Sequence, residues 1–164
     1  MPSLLLGLFI TLRKTALKMR VLIDADGCPV VDISVELCRR NKIPCVILCD
    51  TSHVFQKAGA ETITVSKGAD SVDFALVNLV RRGDIVVTQD YGLAAMCLAR
   101  GARPVSQDGM RYTVENIDSL LAARHMAKKI RNAGGRLRGP KARKPGQDKA
   151  FAETLKAMFA EQAL

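Results

Sequence analysis

Short apolar runs rich in β-branched residues alternate along this chain with stretches whose apolar residues recur at helical spacing. The runs predict five strands, at residues 20–23, 44–48, 62–65, 84–87 and 102–105. The stretches predict helices at residues 30–40, 71–82 and 91–100. This alternation is typical of βαβ units around a parallel sheet. The pattern therefore predicts an α/β fold with a mainly parallel sheet.

The two ends of the chain differ from this pattern. Residues 116–133 predict a longer helix that two glycines end, residues 134–147 predict a flexible basic linker, and residues 148–164 predict a docking helix with Phe151, Leu155 and Met158 on one side. The apolar stretch 4–12 is too short to span a bilayer, and its positive charges follow it, unlike those of a signal peptide. We therefore expect residues 1–18 to be an extension outside the fold, a core domain over 19–133, and no membrane association.

Aspartates follow the predicted strands at three separate junctions. Asp24 and Asp26 follow the first strand, Asp70 and Asp73 follow the third, and Asp90 follows the fourth. Parallel strands deliver such residues to one edge of the sheet, where oxygen ligands hold hard cations. The spacing predicts a Mg²⁺ or Mn²⁺ site formed by these five residues.

Each aspartate also has a purely structural interpretation. Asp70 and Asp90 stand where N-caps stand, Asp73 suits a first helical turn, and Asp26 before a glycine suits a turn. Asp24 is the hardest to explain in this way, because it ends an apolar strand where an unpaired charge is partly buried.

Charge is distributed unevenly. Residues 1–20 carry four basic and no acidic residues, 21–127 carry eleven basic and thirteen acidic, and 128–164 carry ten basic and three acidic. Basic ends beside an acidic centre favour a phosphate-rich partner, although a basic tail can also serve solubility alone. The candidate phosphate-binding residues are Ser52, Lys67, Thr88, Arg136, Arg138, Lys141, Arg143 and Lys144. An odd number of cysteines without a CxxC pair favours a reducing cytoplasm over a disulfide scaffold.

Several segments together resemble one family. DADGCPV, GADSVD, GDIVVTQDYGLA, the run from GARPVSQDGMRY to TVENI, and the closing RGP and DKAF segments look like the bacterial YaiI/YqxD family, which is grouped with PIN-like nuclease domains. The resemblance covers residue 19 to the C-terminus. It implies a PIN-like three-layer α/β/α fold with additional C-terminal helices. It also implies acidic site residues at Asp24, Asp73 or Asp70, and Asp90, with Asp26 as an extra, and by analogy a metal-dependent ribonuclease.

These observations give three functional hypotheses. The first is a Mg²⁺- or Mn²⁺-dependent phosphodiesterase that acts on RNA. The second is a non-catalytic RNA-binding or regulatory module that uses the basic C-terminal segment. The third is a phosphatase with Asp24 as nucleophile and Asp26 as acid, which is disfavoured because Asp84 precedes its strand and only Asp90 follows it.

Overall fold

A computed structural model describes residues 18–53, 55–139 and 141–161. Five strands form one sheet: β1 (Val21–Asp24), β2 (Cys45–Asp50), β3 (Glu61–Val65), β4 (Ile85–Val87) and β5 (Arg103–Val105). Every neighbouring pair is parallel, and the strand order is β3-β2-β1-β4-β5. The three central strands β1, β2 and β4 are almost entirely buried, which explains their continuous apolar runs. The α/β fold predicted from the sequence is confirmed.

Helices cover both faces of this sheet. They are α1 (Val31–Arg40), α2 (Ser71–Leu79), α3 (Tyr91–Ala99), α4 (Ile117–Asn132) and α5 (Pro145–Ala160). Alternate residues of each strand point to opposite faces, so α1 and α5 share one core with Val21 and Ile23, while α2 and α3 share another with Leu22. Helix α4 packs at its beginning against α3. The resulting three layers are consistent with a PIN-like architecture.

The last helix begins earlier than the composition predicts. Helix α5 starts at Pro145, within the predicted linker, because proline suits the first helical position, where no backbone N–H is needed. Its predicted apolar side is confirmed, since Phe151 and Leu155 are fully buried. The extension predicted at residues 1–18 lies almost wholly outside the described residues.

A buried ion pair joins the start of β1 to the start of β4. The Arg20 guanidinium donates to Asp84 Oδ2 at 2.7 Å and to the Leu79 carbonyl at 2.9 Å. Asp84 also accepts hydrogen bonds from the backbone N–H groups of Arg20 and Arg81. The pair therefore fixes the two strands on which the candidate site is built. Within the part of the chain that the structure describes, no helix is long and apolar enough to cross a membrane.

Candidate functional site

The strand order reverses between β1 and β4, and Asp24, Asp26 and Asp90 lie at the ends of these two strands or just after them. From β1 the chain continues outward to β2 and β3, then returns to place β4 on the other side of β1. In parallel sheets such a switch point opens a crevice at the carboxyl ends of the strands. Asp24 is the last residue of β1, and Thr88 directly follows β4. The topology thus brings residues distant in sequence to one crevice.

Thr88 organises this crevice. Its Oγ1 donates to Asp24 Oδ2 at 2.8 Å and accepts a hydrogen bond from the backbone N–H of Asp90 at 3.0 Å. Its carbonyl accepts a hydrogen bond from the Tyr112 hydroxyl. Thr88 is 2% exposed, so it acts as a fixed support for Asp24. Asp90 caps α3 by accepting from Leu93 N–H at 3.0 Å, which confirms its N-cap interpretation and leaves its second oxygen for other partners.

The carboxylates around Asp24 affect its protonation. Burial raises the pKa of Asp24 from 3.8 to about 6; the Thr88 hydrogen bond lowers this pKa, and the charges of Asp73, Asp26 and Asp90 raise it. The pKa of Asp73 is raised as well, by burial and then by the charges of neighbouring carboxylates. Like charges held together in a partly buried crevice repel one another, and a bound cation would relieve this repulsion.

The raised pKa of Asp24 predicts how the stability of the metal-free protein depends on pH. The folded-state pKa of Asp24 lies above the unfolded-state value of about 3.9. The stabilising contribution of this group is therefore fully present below a pH of about 3.9. The contribution is lost as pH rises through about 6. In EDTA, the parent should lose this contribution as pH is raised from 4 to 7, whereas Asp24→Asn should not. We therefore expect the free energy of unfolding of Asp24→Asn, relative to that of the parent, to rise by on the order of 1–2 kcal/mol over this pH range. Urea unfolding at both pH values measures this difference, and parallel pH profiles for the two proteins would contradict it.

A small cavity adjoins Asp24 and contains an unsatisfied acceptor. The cavity measures about 50 Å³, and its lining includes Asp24, Asp26, Cys28, Thr88 and Gln107. The Oε1 atom of Gln107 is buried without a hydrogen-bond partner in the part of the chain that the structure describes. A buried acceptor normally has a donor or a cation beside it. The cavity is large enough for roughly one or two ordered waters or a small ion.

The turn that carries Gln107 is held against α5. Gly109 has a φ of 86°, and a Cβ added there would lie 2.8 Å from the Ala150 carbonyl oxygen and 2.9 Å from Thr154 Oγ1. We expect Gly109→Ala to cost about 1–3 kcal/mol of stability in urea unfolding, because both the backbone angle and the contact oppose a side chain. Gly146→Ala is the matched control, since a Cβ at Gly146 meets nothing within 4 Å. Equal costs for the two variants would show that neither the backbone angle nor the close approach at Gly109 has an energetic effect.

A second group of possible ligands lies beside the first. Ligand atoms of Asp26, Asp50 and His53 all lie within 4.8 Å of one another, and within the described residues no other trio of histidine, cysteine or acidic side chains is this close. Sequence reasoning missed Asp50, although it ends strand β2 as Asp24 ends β1. His53 lies in the loop after β2 and is exposed.

The predicted aspartates and binding residues occupy different environments. Asp70 stands at the N-cap of α2 with a φ of 59° and no side-chain capping bond, and Asp73 lies in the first turn. The hydrogen bond that the Ser52 N–H donates to Asp50 lowers the pKa of Asp50, and the charge of Lys67 lowers it further, so these two residues border the second group. Four other predicted phosphate-binding residues are exposed: Arg136, Arg138, Lys141 and Lys144.

Arg143 is anchored, unlike those four. Its guanidinium donates to Asp108 Oδ1 and Asp148 Oδ1, both at 2.7 Å, and to the Gln107 carbonyl at 2.8 Å. Its side chain is 21% exposed. Arg143 therefore holds the Gln107 turn against the beginning of α5.

The oxygen atoms around the cavity at Asp24 form a donor set that fits a hard divalent cation. It consists of carboxylate oxygens and one unsatisfied amide oxygen, which are the ligands that Mg²⁺ and Mn²⁺ prefer. Cys28 also lines the cavity, but burial raises the pKa of its thiol to about 11, so it stays protonated near neutral pH. All five cysteines are free.

Fold and site together define an α/β protein with a carboxylate cluster at the switch point of a parallel sheet. The chain belongs to the YaiI/YqxD family: a family model described as "Uncharacterized BCR, YaiI/YqxD family" matches residues 22–161. This chain is 50% identical over 144 residues to a UPF0178 protein of Exiguobacterium sibiricum, and the match covers 88% of this chain and 99% of the relative. It is 48% identical over 137 residues to a UPF0178 protein of Ruminiclostridium cellulolyticum, covering 84% and 90%. No solved structure gives a significant match.

Proposed function

We propose that this protein is a Mg²⁺- or Mn²⁺-dependent phosphodiesterase that cleaves RNA. The observation that carries the proposal is Asp24: it is half-buried at the switch point, has a raised pKa, and is surrounded by Asp73, Asp26 and Asp90. A carboxylate that is partly buried and also close to other carboxylates is characteristic of functional sites.

Each residue of the crevice has a distinct task under this proposal. Thr88 fixes one oxygen of Asp24 and, through the Asp90 N–H, the beginning of α3. Asp24, Asp73 and Asp90 would hold the cation, with Gln107 Oε1 as a neutral ligand or as the acceptor of a water. A bound divalent cation would neutralise charge on a phosphodiester and lower the pKa of a water that attacks phosphorus. Arg124, whose Nη1 lies 3.4 Å from Asp90 Oδ1, is placed to pair with a phosphate oxygen.

The direct test uses the full-length protein and a 5′-labelled single-stranded RNA. We expect cleavage with Mn²⁺ or Mg²⁺, none with EDTA, and a large loss in Asp73→Asn and Asp90→Asn. Asparagine is itself a good N-cap, so Asp90→Asn should keep the fold. Asp32→Asn is the matched control, because it makes the same chemical change at an exposed residue of α1 that is paired with Lys57. Cleavage that persists in EDTA, or that survives all these substitutions, would refute the proposal.

A non-catalytic RNA-binding module is the second candidate, and the exposed cations between residues 124 and 144 favour it. Deletion of this segment with everything after it is not a usable test, because it would remove α5 and its buried Phe151. Arg136→Gln/Arg138→Gln is suitable instead. Under this candidate the double variant loses RNA binding and no metal gives cleavage. Under the nuclease proposal short substrates are still cut.

The phosphatase hypothesis has less support. It needs a pair of acidic residues after β4, yet Asp84 lies before that strand and is 2% exposed, paired with Arg20. Asp90 alone follows β4, and its side chain caps α3.

A further inference from the structure

Helix α4 extends away from the rest of the domain. Ile117 at its first position is buried, and Leu120 and Leu121 are half-buried against α3. From residue 122 to residue 132 every position except the half-buried Ala127 is exposed. Packing on the domain therefore explains only the first turns of a helix that continues to Asn132.

The exposed part of α4 is uniformly basic. Between Asp118 and Asp148 the chain contains no acidic residue. The cations in this interval are Arg124, Lys128, Lys129, Arg131, Arg136, Arg138, Lys141, Arg143 and Lys144. A surface helix with only a solubility role usually carries charges of both signs. One sign over such a length creates a continuous field that attracts a polyanion.

Three of these cations form a stripe that starts at the candidate site. Arg124, Lys128 and Arg131 are spaced i, i+4 and i+7, so they share one side of α4 and span about 10 Å. Arg124 contacts Asp90, and its charge also acts on Asp73. Within the described ranges neither Lys128 nor Arg131 forms an ion pair. The stripe therefore leads from the carboxylates outward along the helix with two cations available to a ligand.

Helix α2 carries an exposed aromatic ring next to Asp73 in the sequence. Phe74 follows Asp73 on α2 and is 62% exposed, the largest exposed aromatic side chain of the described residues. Exposed rings are platforms on which unpaired bases stack. The bases of a single strand are free to stack on such a ring, whereas those of a duplex are already paired and stacked.

We propose that the basic side of α4, formed by Arg124, Lys128 and Arg131, is the docking surface for the backbone of a single-stranded nucleic acid, which passes Arg124 to reach the carboxylates. The proposal deepens the proposed function and rests on it for what happens at Asp24. The docking surface itself follows from the charge and exposure of α4. An acidic peptide would suit the cations but would leave the carboxylate cluster and Phe74 without a role.

Binding without cleavage tests the surface alone. Fluorescence anisotropy in EDTA compares the parent with Lys128→Gln/Arg131→Gln, using a labelled 20-nucleotide single-stranded RNA, the same sequence as DNA, and the RNA duplex. The matched control is Lys149→Gln/Lys156→Gln, which removes two charges from exposed positions of α5 on the opposite face of the sheet. We expect the α4 variant to raise the Kd on the order of tenfold and to reduce the salt slope by about 1.4, as the loss of two phosphate contacts predicts. The control should leave both unchanged.

Four results would overturn the proposal: no binding by the parent, equal weakening in the two double variants, tighter binding of the duplex than of the single strand, or an unchanged salt slope in the α4 variant. Loss of binding through α4 with RNA, DNA or both supports it. Cleavage assays separate this proposal from the proposed function. If α4 is needed for binding but no metal gives cleavage, the docking surface stands and the nuclease proposal fails. If cleavage occurs and the α4 variant keeps its KM, the docking surface fails alone.

Discussion

Asp24→Asn should abolish metal-dependent RNA cleavage, with a loss of at least about 10³-fold, equivalent to about 4 kcal/mol of transition-state stabilisation. The substitution removes one negative charge from the centre of the carboxylate cluster and keeps the shape of the side chain. The asparagine oxygen can still accept the hydrogen bond that Thr88 donates to Asp24 Oδ2. We therefore expect the fold to persist, with a Tm in EDTA equal to or above that of the parent.

Cleavage rates at saturating Mn²⁺, normalised to folded protein, measure this effect. Asp32→Asn makes the same chemical change on exposed α1 and should cleave at the parent rate. An Asp24→Asn variant that is folded and cleaves as fast as the parent would remove Asp24 from the mechanism.

Asp84→Ala should have the largest effect on stability among the acidic residues considered, about 3–5 kcal/mol. Asp84 is 3% exposed at its side chain, and Arg20 is 13% exposed. Without Asp84, the Arg20 guanidinium remains partly buried with only the Leu79 carbonyl as a partner, and the backbone N–H of Arg81 loses its acceptor. The starts of β1 and β4 would then lose the pair that joins them.

Urea unfolding checks this value against Asp32→Ala, which breaks the exposed pair with Lys57 and should cost about 0–1 kcal/mol. Because Asp84 lies at the opposite end of β4 from Thr88, any molecules that stay folded should retain their metal affinity. Similar stability costs for the two variants would show that the buried pair of Arg20 and Asp84 contributes no more to stability than the exposed pair of Lys57 and Asp32.

The fold was predictable from the sequence because its three central strands are buried on both faces. Continuous apolar runs such as that ending at Asp24 identify central parallel strands, and the helical stretches between them require crossovers. The position of Asp24 at a strand end followed directly from this pattern. Asp73 lies in the first turn of α2 and Asp90 at the N-cap of α3, so both stand at the beginning of a helix that follows a strand.

Other parts of the site depend on contacts that local patterns do not encode. Asp50 carried the same signal as Asp24, but the strand was expected to end at Leu48, two residues too early. Arg143 lies in a segment whose Gly and Pro content predicts flexibility, yet Asp108 fixes it from a distant turn. Gln107 has no sequence signal at all, since only the tertiary structure shows that its oxygen is buried and unsatisfied.

Helix α4 shows a further limit of periodicity. Helical spacing puts Ile117, Leu120, Leu121, Ala127 and Ile130 on one side of this helix, and the first three pack on the domain. Ile130 is 41% exposed, because the helix has passed the edge of α3 by then. Periodicity identifies which residues share a side of a helix, but not how far its packing partner extends.

Calorimetric titration of Mn²⁺ into the full-length protein tests the central claim most directly. The account predicts saturable binding that is lost in Asp24→Asn/Asp90→Asn and retained in Asp32→Asn. Asp50→Asn/His53→Gln shows whether the second ligand group holds an additional ion: a lower stoichiometry with the remaining affinity unchanged would show that it does. Absence of binding in the parent, or binding that survives in Asp24→Asn/Asp90→Asn and disappears in Asp50→Asn/His53→Gln, would contradict a metal centre at Asp24.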